Sequence, residues 1–368
     1  MDKLKILLAA GGTGGHVYPA IAIADAIKEQ EPDTEILFVG TKDHMEWKTV
    51  PKAGYQIQNI WISGFHRQFT LKNLLFPMKL VTSLFQSFSI LSDFSPQVVL
   101  SCGGYVAGPV GWVAGKKGIP LVIQEQNSFP GVTNRLLSKY AVRIFTAFKE
   151  ADRFLPKEKT KVVGNPTRSS LNEEDQGKAL SSFGFSKDKP VLLVMGGSGG
   201  AKTINEAMVA NIEELHDKAN LQIIWQCGPR YYDELTTKIN KAKLKNLRLT
   251  AYLDNMAKAY AVADLVISRA GASSCSELMI TGKPSILVPS PNVAGDHQTQ
   301  NAKAMVDAGA SKLLEDSTMK ETMSELVEQL IHDQENLKRM NQAALRLAKP
   351  DAAKLIAKEI LEIAKSKL

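Results

Sequence analysis

The chain has 368 residues, 44% of them hydrophobic and 23% charged, which excludes general disorder and allows two domains with cores of their own. Cys102, Cys227 and Cys275 are too few and too scattered for a disulfide scaffold or a zinc site, and fit idle or buried thiols in a reducing compartment. The net charge of +7 is uneven: residues 1–165 hold 19 Lys/Arg against 13 Asp/Glu, residues 166–349 hold 22 against 22, and residues 350–368 hold 4 against 3, so the excess serves either solubility or an anionic partner of the first half.

In chain order, the apolar run after Lys3 is too short for a secretory signal. Lys5–Ala10 suits a buried parallel strand and ends in Gly11-Gly12-Thr13-Gly14-Gly15-His16, with a helix predicted over Ala20–Glu29. A second strand follows at Glu35–Val39. Residues 61–90 mix apolar and basic side chains: Trp61, Phe65, Phe69, Leu74, Leu75, Phe76, Met78, Leu80, Leu84, Phe85 and Phe88 alternate with His66, Arg67, Lys72 and Lys79. With Pro77 inside it, this stretch predicts a broken amphipathic segment, either a core helix or one that inserts shallowly into an anionic membrane. Phe94–Gly115 is free of charge for 22 residues, but Pro96, Pro109 and five glycines make it a strand with a glycine loop (Gly103–Pro109) rather than a spanning helix. A cytoplasmic protein is expected.

Further strands are predicted at Val98–Ser101, Leu121–Gln124 and Arg143–Thr146, and a linker at Val163–Arg168. Pro190–Met195 then repeats the opening unit. It ends in Gly196-Gly197-Ser198-Gly199-Gly200-Ala201, 185 residues after the first glycine cluster, and precedes a helix over Thr203–Leu215. Leu221–Trp225, Leu265–Ser268 and Ser285–Val288 complete a second set of strands. The architecture is therefore α/β, with domains at 1–165 and 166–349. Residues 350–368 form an amphipathic helix on which Leu355, Ile356, Ile360 and Ile363 share a face. It can reach either half and is assigned to the first.

A glycine loop between a strand and a helix presents backbone N–H groups and the positive end of the helix dipole to a phosphate. GxGxxG fails at both clusters, because Val17 and Lys202 stand where the third glycine belongs, and no GxxxxGK[ST] run exists. In the second half, Ser268–Glu277 follows a strand and opens a helix. Ser273 and Ser274 add hydroxyl donors there. Glu277 is either a surface glutamate or an acceptor for a ribose diol.

Gly11–Ala20, Gly103–Pro109, Glu125-Gln126-Asn127, Gly164-Asn165-Pro166 with Arg168, Gly196–Ala201, Ser268–Glu277 and Asp296-His297-Gln298 together resemble the motifs of the MurG-type N-acetylglucosaminyltransferases, in family order over residues 4–310. The resemblance implies the GT-B fold, two Rossmann-like domains facing across a cleft. It also implies inverting transfer of N-acetylglucosamine from UDP-N-acetylglucosamine to a lipid-linked N-acetylmuramyl-pentapeptide diphosphate at the cytoplasmic face of the membrane, with neither nucleic acid nor cofactor, and leaves room for other cell-wall enzymes as partners. By it, Ser198, Ala272, Ser273 and Ser274 hold the UDP diphosphate, Glu277 the ribose, and the Leu253 backbone the uracil. Gln298 contacts the sugar and Arg168 completes the UDP site. Thr13, Gly14, Gly15 and Asn127 reach the donor sugar from the first domain.

His16 is the candidate base, since an imidazole titrates near neutrality; the other reading makes it a loop or diphosphate contact. Tyr105 assists on the acceptor side. Helix N-termini can stabilise the departing UDP without a metal, and no DxD-like pair stands in a glycine loop. Gln124, Gly199 and Ser274 depart from the family's usual histidine, glutamine and threonine. Other GT-B proteins, such as a UDP-sugar epimerase, would share the second-half site but differ around His16, Gly103–Pro109 and Asn127. A nicotinamide oxidoreductase is disfavoured by the failed GxGxxG, and a nucleotide-sugar sensor by His16 and the motifs in both halves.

Overall fold

The computed structural model describes residues 3–64, 75–167, 169–217, 219–239, 244–291, 293 and 296–367. The chain divides into two compact units, Met1–Arg168 with Lys349–Leu368, and Ser169–Ala348.

The first unit is built on a seven-stranded parallel sheet in the order β3-β2-β1-β4-β5-β6-β7. Its strands are β1 Lys5–Ala9, β2 Glu35–Gly40, β3 Gln56–Asn59, β4 Val98–Ser101, β5 Leu121–Glu125, β6 Ala141–Thr146 and β7 Thr160–Val162. The second unit has six parallel strands in the order β10-β9-β8-β11-β12-β13. These are β8 Val191–Met195, β9 Gln222–Gln226, β10 Leu247–Thr250, β11 Leu265–Ser268, β12 Ser285–Leu287 and β13 Ser311–Leu313. Helices on both faces bury most residues of the interior strands, which is why those strands carry apolar runs. In β1, Ile6 and Leu8 enter one core while Leu7 and Ala9 enter the other. Residues of β8 divide in the same way.

The four strands without an apolar run, β3, β7, β10 and β13, are the four sheet edges. Gln56–Asn59 contains no fully buried residue, and Leu247–Thr250 alternates buried and half-buried. An edge strand needs no apolar residue at each position, so the run that marks its neighbours is missing.

Two predicted elements, the first and the last helix, require correction. The first helix begins at Gly14, inside the glycine loop, and runs to Gln30 with Pro19 within it. Proline is favoured at a helix start, hence the expected start at Ala20. Here Pro19 only removes the N–H that would have bonded the Gly15 carbonyl, and the first turn is closed by the N–H groups of His16 and Val17 donating to Thr13 O. Pro77 marks the start of a helix. It stands in the first turn of Phe76–Phe94, where its missing N–H costs nothing. Phe65, His66, Arg67, Phe69, Lys72 and Leu74 lie outside the described residues. On the final helix, Ala352–Lys365, Leu355 is 43% exposed; the buried stripe is Ala353, Ile356, Ala357, Ile360, Leu361 and Ala364. That helix packs against the first helix, its stripe sharing one core with Val17, Ile21 and Ala24, and Gln30 Nε2 donates to Lys354 O at 3.0 Å.

The helix Phe76–Phe94 is inside out. Its buried face carries Ser83 and Ser87 beside Ile90 and Leu91. The two serines donate to carbonyls of their own helix, Leu80 O and Ser83 O. Its outer face shows Met78, Val81, Phe85 and Phe88, with Phe85 74% exposed.

Candidate active site

In each sheet the chain reverses its direction of growth once, between β1 and β4 and between β8 and β11. Ligands of open parallel sheets bind at the carboxyl ends of strands at such a switch point. The loops Gly11–His16 and Gly103–Pro109 follow β1 and β4, and the loops Gly196–Ala201 and Arg269–Glu277 follow β8 and β11.

In the first unit the two loops interlock through missing side chains. Gly104 has φ +79°, and a Cβ there would lie 2.4 Å from the Gly11 carbonyl oxygen. A Cβ on Gly103 would lie 2.9 Å from the His16 ring. Gly104→Ala is therefore expected to lower stability by about 2 kcal/mol through backbone strain alone, read as a lowered midpoint of denaturant unfolding at unchanged slope.

His16 is half-buried in the first helical turn, and its Nδ1 lies 3.1 Å from the Thr13 hydroxyl. With the proton on Nδ1 the imidazole donates to Thr13, and the lone pair sits on Nε2, the arrangement a general base needs. Gly14 and Gly15 occupy the same first turn, where backbone N–H groups have no intrahelical partner. The Tyr105 ring lies against Gly12, and its hydroxyl is 2.6 Å from His44 Nε2. Burial, then the Glu46 and Asp43 carboxylates, pushes the Tyr105 phenol up to about 12, so it stays protonated at neutral pH.

Asn127 is organised by Glu125, which is 1% exposed. One oxygen of that carboxylate accepts from Asn127 N at 2.9 Å and Asn127 Nδ2 at 3.2 Å. The other accepts from Gly131 N at 3.0 Å and Asn134 Nδ2 at 2.9 Å. Four donors on two oxygens satisfy a carboxylate that has no access to water. Gln124, in place of the family's usual histidine, donates to Asn165 Oδ1 at 3.3 Å and also pairs with Gln126. Arg168 lies outside the described residues.

The second unit repeats the plan. Gly200 has φ +75°, and a Cβ there would overlap the Cys227 carbonyl at 1.9 Å, so the loop after β8 is seated on the end of β9. Gln226 Nε2 holds the loop through Gly197 O at 3.0 Å. Ser198 is exposed at its tip, and Cβ positions on Gly197 and Gly199 meet nothing within 4 Å. Space for glutamine at 199 thus exists.

The helix Ala272–Ile280 is N-capped by Gly271, with no side-chain cap. Ala272, Ser273 and Ser274 therefore present uncapped N–H groups. The buried Ser273 hydroxyl has no hydrogen-bond partner, a donor waiting for an anion. Glu277, one turn on, is half-buried and accepts from the fully buried Tyr260 hydroxyl at 2.9 Å. This fixes one carboxylate oxygen, which a plain surface glutamate would not require.

Gln298 Oε1 accepts from Ser290 N at 2.8 Å, which orients the amide so that its NH₂ is the end for a sugar oxygen. Leu253 packs partly buried against the core, in a loop pinned by Thr250 Oγ1 donating to Tyr252 O at 2.8 Å.

Two constellations went unread in the sequence. Glu46, fully buried, accepts from Gly12 N at 3.1 Å, Thr41 N at 3.1 Å and Thr41 Oγ1 at 2.8 Å. It braces the first glycine loop from the neighbouring strand's end. In the second unit, Arg269 donates to Val288 O at 3.2 Å, Pro289 O at 3.3 Å, Asp316 Oδ1 at 2.5 Å and Thr203 Oγ1 at 2.6 Å. It thereby joins the loops after β11 and β12 to the helix Lys202–Asp217.

Two family descriptions match this chain: the glycosyltransferase family 28 N-terminal domain over residues 6–146 and the family 28 C-terminal domain over residues 191–356. The chain belongs to glycosyltransferase family 28. Among the relatives of this family 28 enzyme is the UDP-N-acetylglucosamine–N-acetylmuramyl-(pentapeptide) pyrophosphoryl-undecaprenol N-acetylglucosamine transferase of Salinibacter ruber, 45% identical over 98% of this chain and 96% of that one. The protein of the same name from Bacteroides thetaiotaomicron is 43% identical over the whole of both chains. The crystal structure of Acinetobacter baumannii MurG superposes with a TM-score of 0.74 at 30% identity, covering 98% of this chain and all of that one. A UDP-N-acetylglucosamine 2-epimerase structure, at 16% identity and a TM-score of 0.68, shares the fold alone. The two parallel α/β units of the family 28 enzyme are thus those of the GT-B-like fold.

Proposed function

We propose that this glycosyltransferase moves N-acetylglucosamine from UDP-N-acetylglucosamine to the lipid-linked N-acetylmuramyl-pentapeptide diphosphate of peptidoglycan synthesis. The observation that carries the reading is the full-length identity of 45% to a transferase of that name. The acceptor hydroxyl oxygen attacks the anomeric carbon as the bond to the UDP diphosphate breaks, and one displacement inverts the α donor to a β product. His16 takes the hydroxyl proton through Nε2, oriented by Thr13. UDP leaves with its negative charge, met by the N–H groups of Ala272–Ser274 and the Ser273 hydroxyl, which need no rearrangement as that charge develops. Glu277 takes the ribose, and Gln298 the sugar. The test is transfer of label from radiolabelled UDP-N-acetylglucosamine to a short-chain lipid-linked acceptor. Donor bound without transfer would overturn the reading.

The acceptor's lipid places the work at a membrane, and the first unit carries a surface suited to one. No helix among the described residues is long and apolar enough to cross a bilayer. The outer face of Phe76–Phe94 is apolar, and cations flank it. Lys117 Nζ lies 4.2 Å from the Phe88 ring centroid, Lys79 lies 5.7 Å from that of Trp61, and Lys116 lies 5.8 Å from that of exposed Trp112. Apolar side chains ringed by lysines favour shallow insertion among anionic headgroups. With each cation near the surface contributing about 1 kcal/mol, Lys79, Lys116 and Lys117 changed together to Glu are expected to weaken binding to phosphatidylglycerol vesicles at least about 100-fold. Sedimentation with vesicles reads this, and undiminished binding would reject the surface.

A further inference from the structure

His44 stands between β2 and the helix Glu46–Lys52, exposed, and belongs to none of the glycine loops. It nevertheless reaches one of them. Its Nε2 is 2.6 Å from the Tyr105 hydroxyl, and the two ring centroids are 5.7 Å apart at 60°. The Tyr105 ring is also bounded by two glycines, with Cβ positions at 3.2 Å on Gly12 and 3.3 Å on Gly64. These contacts bound one edge of the ring, and the placement of its tip depends also on what the hydroxyl meets. A bond at the hydroxyl acts at the greatest distance from the backbone and settles that placement.

We propose that His44 is a positioning residue for the acceptor, setting where the Tyr105 hydroxyl stands beside the Gly11–His16 loop. This rests on reading the first unit as the acceptor side. With the His44 ring proton on Nδ1, the Tyr105 O–H donates to Nε2. The phenol oxygen then turns its own lone pairs outward, as an acceptor for hydroxyl groups of the incoming sugar. His44 thus selects the direction of the bond that Tyr105 offers as well as its place.

Steady-state kinetics with both substrates varied tests this. His44→Ala should raise the KM for a short-chain lipid-linked acceptor about fivefold, the loss expected for one neutral hydrogen bond. The KM for UDP-N-acetylglucosamine and kcat should hold within about twofold, below the effect of one such bond. His44→Gln, whose amide oxygen can accept the same proton, should restore most of the acceptor affinity. Tyr105→Phe should raise the acceptor KM at least as much, and adding His44→Ala to it should do nothing more, since the histidine acts through the phenol. An unchanged acceptor KM in His44→Ala, an effect confined to the donor, or multiplying effects in the double variant would overturn the proposal. Wild-type enzyme that transfers label while Tyr105→Phe leaves the acceptor KM unchanged would instead overturn the acceptor-side role of Tyr105, and His44 would fall with it.

Discussion

His16→Ala is expected to lower kcat by about 100-fold or more, the range for removing a positioned general base. The KM for UDP-N-acetylglucosamine should barely move. The two readings of this residue separate on that split. A base acts on the attacking hydroxyl in the transition state, so its loss falls on kcat. A loop or diphosphate contact acts on bound substrate as well, so its loss raises KM. The geometry favours the first, because the Thr13 hydroxyl at 3.1 Å engages Nδ1 and orients the ring. Thr13→Val should then reproduce part of the defect, by releasing the imidazole without removing it. Rapid-quench measurement of a single turnover isolates the chemical step. Near-normal turnover in His16→Ala would remove it as the base.

Arg269→Ala should produce the largest loss of stability. Arg269 and Asp316 are 12% and 16% exposed, and each is the other's counter-ion. Deleting one side of a mostly buried pair costs about 3–5 kcal/mol, because the remaining charge stays desolvated. At roughly 2–4 °C per kcal/mol for a unit of this size, the midpoint of thermal unfolding should fall by about 10 °C. Lysine should not rescue it, since one ammonium cannot span Val288 O, Pro289 O, Asp316 and Thr203 as a planar guanidinium does. The helix Ala272–Ile280 begins three residues after Arg269, so donor affinity should weaken in the same variant. Calorimetric titration with UDP reads that second effect. A variant as stable as wild type would show that the network is incidental.

The interior strands and the glycine loops were legible because each is a local pattern. A buried strand between two helix layers is mostly apolar, and a loop folded onto a neighbouring carbonyl must be glycine. Gly104 and Gly200 show the latter, where a Cβ would overlap backbone oxygen. His16, Ser273 and Glu277 could be picked out because they sit inside such patterns. Their supports could not. Glu46 meets Gly12 across 34 positions of sequence, and Arg269 meets Asp316 across 47. A buried carboxylate satisfied by backbone N–H groups has no spacing to detect. The start of the first helix was hidden for another reason. Gly14 and Gly15 are poor helix formers, and the helix they open is held by the burial of Val17, Ile21 and Ala24 in the core of the first unit.

That final helix also imposes an order on synthesis. The second unit is complete once Ala348 has been made, but the first, whose strands are made earlier, is not. Until residues 352–365 leave the ribosome, the first helix lacks the neighbour that packs on it, and the core it shares with Ile356, Ile360 and Leu361 stays incomplete. Domains generally fold as units in the order of their emergence, yet here the unit translated first is the one finished last. For much of its birth the nascent chain therefore carries an open apolar seam along its first helix, a natural address for a chaperone.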